Sequence, residues 1–249
     1  MRSLPIAPFR MTWHRDVPDA AIAWAMHLHQ SRGQVERCLQ NLRTSHPYSR
    51  VVLISDGDGD DYGDIARTLG CDLVEGAHMH ALATCHLYVI RILEALSAGD
   101  ETYCFKIDPD TAVWRRFRAL PAFSCLFGTL ETLTEGRLAD VDGPPNVQGG
   151  CIGMTADAVR AILAAGVLNE KNCVEHWRTT WARCADMQRA GERGQFCDDF
   201  VISWAADQIG LPLLAHPEIR SRWRREAPSR RGEWAVTHPH KTGRVLVSN

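Results

Sequence analysis

Two aspartates one residue apart, Asp108 and Asp110, end the run Tyr103-Cys104-Phe105-Lys106-Ile107, with Pro109 between them. Alternation in an extended chain turns both carboxylates to one side. Pro109 has a fixed φ and no N–H, which suits a strand end. Carboxylates this close repel unless a cation or a ligand lies between them. Oxygen donors of this kind suit Mg²⁺ or Mn²⁺, which keep coordination positions open for substrate phosphates. The same residues also fit an acidic turn after a strand.

Other residues can take part in such chemistry. Asp56 follows the apolar run Arg50 to Ser55, where a strand meets its loop, and ligands of open α/β sheets bind at the carboxyl ends of strands. The acids after it do not make a calcium loop, because Asp61 stands where Gly is required and Arg67 where Glu is required. In Val147-Gln148-Gly149-Gly150-Cys151 the paired glycines suggest a bulge or close approach of backbone to a ligand. They spell neither a dinucleotide fingerprint nor a phosphate-binding P-loop. Asp198 and Asp199 open a run with helical spacing, where acids complement the helix dipole whether or not they do chemistry. His238 and His240 flank Pro239 after a strand-like run, and a histidine beside a metal–phosphate site is a suitable third ligand.

The elements that must hold these residues alternate. Ala21 to Leu28 and Arg50 to Ser55 read as strands buried on both faces. Helices are expected from Gly33 to about Leu42, from Asp64 to Leu69 and from Ala81 to Ala98, with a short strand at Cys71 to Val74. Three strand–helix alternations before Asp108 argue for a mostly parallel sheet. Beyond it, strands are expected at Phe123 to Leu130 and Leu211 to Leu214, and a loop able to act as a lid or acceptor contact at 131–146. Thr155 caps a helix from Ala156 to Ala165. Val174, Trp177 and Trp181 share helical spacing and read as packing. The basic segment Arg220 to Arg231 fits a solvated face and a peripheral contact with an anionic acceptor or membrane surface equally well.

With 249 residues, 45% hydrophobic and 23% charged, and a net charge of −2, the composition is that of a globular enzyme. It has no overall pull toward nucleic acid or membrane. Nine scattered cysteines without a C-x-x-C pair fit a reducing cytoplasm better than a disulfide framework. No secretory signal and no bilayer-spanning run is expected.

Taken together, the order of these features resembles the GT-A fold of nucleotide-sugar glycosyltransferases. The elements that carry the resemblance are the alternating βα half, Asp108-Pro109-Asp110 as a D-x-D motif, Gly149-Gly150 ahead of a helix, Asp198-Asp199 at a later helix start, and His238-Pro239-His240-Lys241. They span roughly residues 20 to 241. The resemblance implies a three-layer α/β sandwich with helices on both faces of the sheet. It implies one domain, with a nucleotide-binding half at about 20–115 and an acceptor-binding half at about 116–249. It implies that Asp110 ligates Mn²⁺ or Mg²⁺, that Asp108 contacts the metal, its bound water or the ribose, and that Asp56 reads uracil. Gly149 and Gly150 would floor the donor or acceptor site, Asp199 or Asp198 would be the general base, and His238 or His240 the last metal ligand. The partners implied are a nucleotide-sugar donor and a carbohydrate or other hydroxyl acceptor. Two other readings compete with it. A nucleotidyltransferase making sugar nucleotides would resemble a Gly-rich N-terminal signature, which Ala21 to Ser31 lacks. A non-catalytic nucleotide-sugar-binding module would be marked by loss of the acidic pair, which is present.

Overall fold

Uninterrupted burial explains the centre of the molecule. In a computed structural model that describes residues 12–28, 32–55, 61–76, 82–131, 146–179, 198–223 and 233–239, β2 (Ile22–Leu28), β3 (Arg50–Ser55) and β5 (Tyr103–Ile107) lie side by side. Their side chains alternate between two cores. Trp24, Met26, Val51, Leu53, Phe105 and Ile107 face one, and Ala23, Ala25, Val52, Ile54 and Cys104 face the other. Such runs are almost wholly apolar because both faces are covered, with Lys106 a buried exception in β5.

The sheet has seven strands. β4 (Asp72–Glu75) lies beyond β3 at one edge. On the other side of β5 come β9 (Asn146–Thr155), then β8 (Leu126–Glu131), then β10 (Leu213–Ala215). β9 runs antiparallel to both its neighbours, and the other four pairings are parallel. The sheet is thus mixed but mostly parallel, as expected, with β9 alone running against the other six strands. The expected halves at about 20–115 and 116–249 share it, joined along β5 and β9.

Helices cover both faces. α1 (Arg32–Ser45) buries Val35, Cys38, Leu39 and Leu42, one stripe at helical spacing, and packs with α2 (Gly63–Leu69) on one side. α3 (Cys85–Ser97), α4 (Ala156–Ala164), α5 (Glu170–Thr179) and α6 (Asp198–Gln208) pack on the other. The start expected for α3 at Ala81 is instead a 3-10 turn, Leu82–Thr84. Thr155 accepts a hydrogen bond from the Ala158 N–H and so caps α4 as expected. α4 is followed by Gly166 with φ 64°, a left-handed position that glycine takes without strain.

Two small sheets were not expected. β1 (Trp13–Arg15) pairs with β7 (Ala119–Pro121), and β6 (Ala112–Val113), β11 (Ile219–Trp223) and β12 (Val236–Pro239) form a three-stranded ribbon. Their buried residues Val113, Leu120, Ile219 and Val236 join the core on the α1 side. Part of the basic segment is thus strand β11, with Arg220 exposed. Asp56, His240, Trp181, the arginines from 224 to 231 and the loop at 132–145 lie outside the described residues. No described helix is long and apolar enough to cross a membrane.

Candidate metal centre

The strand β5 ends where its pairing with β9 ends, opposite Cys151. The chain then turns. The Thr111 N–H donates to the Asp108 carbonyl at 3.0 Å, so Asp108 to Thr111 form a β-turn with Pro109 in its second position. The two carboxylates therefore meet by turning, not by the alternation of an extended strand. Thr111 fixes the turn, its hydroxyl donating to the Gly150 carbonyl at 2.5 Å.

The turn leads into β6, and β6 brings β12 alongside, Ala112 opposite Thr237. The Trp114 indole N–H donates to the Thr237 hydroxyl at 2.9 Å and secures that register. The next residue, His238, is thereby delivered to the acidic turn. Its Nε2 lies 2.9 Å from Asp110 Oδ1 and 3.3 Å from Asp108 Oδ2. One ligand atom from each of Asp108, Asp110 and His238 falls within 4.8 Å of the others. Of the two tail histidines, His238 is the one that the described residues bring to the site.

Burial alone would lower the His238 pKa, but hydrogen bonds and charge from Asp108 and Asp110 outweigh it and lift it to about 9. The imidazole holds its proton because two carboxylates face it. An oxygen–oxygen–nitrogen donor set of this kind fits Mn²⁺ or Mg²⁺ once that proton leaves, since the imidazole must be neutral to ligate.

The paired glycines have a local explanation. The register between β8 and β9 shifts between Gly128 and Leu130, so β9 bulges across Gln148 to Cys151. A Cβ on Gly150 would overlap the ring and Cβ of His238, and one on Gly149 would lie 3.0 Å from the Asp199 Cβ. The backbone approach expected here is made by the protein's own side chains, one on each glycine. Both carbonyls are used as well, Gly149 by Lys106 and Gly150 by Thr111.

Asp198 and Asp199 have different surroundings. Asp199 is 5% exposed. Its Oδ2 accepts from the Gly149 N–H at 3.1 Å and the Asn146 side-chain amide at 3.4 Å, and its Oδ1 from the Phe200 N–H at 3.0 Å. It ties the start of α6 to the bulge. The Asp198 side chain is 16% exposed and lies 2.5 Å from Lys106 Nζ.

Lys106 is the residue of this cluster that the sequence does not single out. It sits inside β5, and its side chain is 3% exposed. Nζ lies 2.6 Å from Asp108 Oδ1, 2.5 Å from Asp198 Oδ2 and 3.0 Å from the Gly149 carbonyl. Burial works to lower its pKa, but Asp108 and Asp198 raise it well above the ordinary value. The available signal was a lysine within an otherwise apolar strand, since lysine is almost never fully buried unless paired.

No family model matches the chain, and no curated protein matches it.

Proposed function

We propose that the protein is a metal-dependent glycosyltransferase, moving a sugar from a nucleotide-sugar donor, a UDP-sugar on the GT-A resemblance, to an acceptor hydroxyl. The observation that carries this reading is the meeting of Asp108, Asp110 and His238 just beyond the carboxyl end of a central strand. Ligands of open α/β sheets bind there. Asp110 and His238 would hold the cation, with Asp108 beside them. When bound, a divalent cation neutralises charge on a departing nucleoside diphosphate.

The chain's own residues supply the rest. Asp198 has surface open to solvent, whereas Asp199 is enclosed by its hydrogen bonds. Each carboxylate oxygen accepts more than one hydrogen bond, so Asp198 keeps capacity beside its ion pair. The geometry favours Asp198 over Asp199 as the group that takes the acceptor proton. Asp199 then acts by holding the bulge of β9 and the first turn of α6 together.

A screen of nucleotide-sugar hydrolysis with Mn²⁺ tests the reading. Wild-type protein should release the nucleoside diphosphate from at least one donor. The activity should vanish with EDTA and in Asp110→Ala. Equal UDP affinity in calorimetry with EDTA and with Mn²⁺ would remove the metal from the function.

A further inference from the structure

Four carboxylates crowd the end of β5: Asp108, Asp110, Asp198 and Asp199. A site with that many carboxylate oxygens would suit Ca²⁺, which takes six to eight oxygen ligands and accepts bidentate carboxylates. Mg²⁺ and Mn²⁺ instead need few protein oxygens and open positions. The structure removes the surplus. Asp199 is consumed by Gly149, Asn146 and Phe200. Asp198 Oδ2 and Asp108 Oδ1 are both consumed by Lys106.

Three oxygens lie within 3.0 Å of Lys106 Nζ: Asp108 Oδ1 and the Gly149 carbonyl accept hydrogen bonds from it, and Asp198 Oδ2 is held as an ion pair. They come from the end of β5, the bulge of β9 and the start of α6. With its side chain 3% exposed and its charge paired with Asp108 and Asp198, Lys106 does not face a ligand directly. Its effect passes through its neighbours. It turns Oδ1 of Asp108 inward and leaves Oδ2 facing His238. It also draws one Asp198 oxygen away from the cation position.

We propose that Lys106 is a positioning residue that sets the metal preference of the centre, by withholding one oxygen of Asp108 and one of Asp198 from the cation. The inference rests on the metal centre of the function proposed above and on no particular sugar donor. The side chain is a built-in cation that keeps the site poor in oxygen. Removing it hands two oxygens to any metal that enters, and the gain is greatest for the ion that uses most of them.

Titration calorimetry with Mn²⁺ and with Ca²⁺ on wild type, Lys106→Met and Lys106→Met/Asp198→Asn tests this. Methionine keeps the unbranched shape without the charge. The ratio of Ca²⁺ to Mn²⁺ affinity should rise by about tenfold or more in Lys106→Met, within the range that changes behind a metal ligand produce. In the double variant it should rise less, because only the Asp108 oxygen is released. A lysine that merely held the fold together would lower both affinities alike and leave the ratio alone. The double variant, which also removes the carboxylate left unpaired, keeps the test decisive if the single variant does not fold. An unchanged ratio in whichever variant folds overturns the proposal. Wild type that binds neither ion overturns the metal centre itself, a different result from a wild type that binds Mn²⁺ beside variants with its preference.

Discussion

Gly150→Ala separates the metal centre from the fold around it. The added methyl would overlap Cβ, Cγ and Cδ2 of His238. Those atoms sit close to the histidine backbone, so no change of rotamer clears all of them. Either β12 moves away from β9, or the bulge of β9 opens. Both outcomes break the 2.9 Å contact of His238 with Asp110 and the 3.3 Å contact with Asp108. Overpacking of this kind costs about 1–3 kcal/mol of stability. The loss of a placed ligand should weaken Mn²⁺ binding by about 10–100-fold, which is about 1.4–2.8 kcal/mol. Gly149→Ala is the control. Its Cβ would lie 3.0 Å from the Asp199 Cβ, a contact relieved by a shift of a few tenths of an ångström, and its three nearest atoms all belong to Asp199 rather than His238. Calorimetry with Mn²⁺ and a thermal melt on both variants give the comparison. Gly150→Ala should lose metal affinity out of proportion to its stability, and Gly149→Ala should not. Wild-type Mn²⁺ affinity in a folded Gly150→Ala would show that His238 is not a ligand.

Asp199→Asn should lower stability by about 1–3 kcal/mol, because its carboxylate accepts hydrogen bonds from Gly149, Asn146 and Phe200; denaturant titration reads this, and an unchanged midpoint would deny it the tying role. Asp198→Asn should reduce sugar transfer by about 10²–10⁴ with donor binding retained, the range of general-base catalysis; transfer at the wild-type rate would place the base elsewhere. His46, fully buried against Trp24 and held at about 4 by burial, makes the fold acid-sensitive. The unfolded chain protonates near 6.5 and the folded one near 4, so stability present above pH 6.5 is lost as pH falls toward 4, by up to about 3 kcal/mol. Melts that stay flat across that window would mean the imidazole is protonated in the folded state.

The parts of the fold that were legible in the sequence are those that a local pattern determines. β2, β3 and β5 show as apolar runs because both their faces are covered, and α1 shows as a stripe because only one of its faces is. The small strands β1, β6, β7 and β11 were not legible. They are two to five residues long and exist because distant segments pair with them, which no window of sequence contains. Of the candidate site, the residue types were legible and the geometry was not. The acidic pair was expected from strand alternation but meets through a β-turn. The paired glycines suggest a bulge or a close approach to a ligand; β9 does bulge there, and the space beside them is filled by His238 and Asp199. Lys106 went unassigned because its role depends on three oxygens from three separate elements.

The pairing of Asp110 with His238 spans 128 positions of the chain, and this has a consequence for biosynthesis. All seven strands of the large sheet precede β12, so a ribosome finishes the scaffold before it makes the last donor of the centre. Until then the acidic turn lacks the imidazole of His238, which completes the cluster among the described residues. If the proposed centre takes a metal, capture would be a late event, acting as a clasp between the end of β5 and β12. At a hundredfold excess over its Kd, a cation bound only to the folded form adds about 2.7 kcal/mol. That protection should be strongest in the ribbon of β6, β11 and β12, where amide hydrogen exchange would slow on adding Mn²⁺ while the strands β2 and β3 stay as they were.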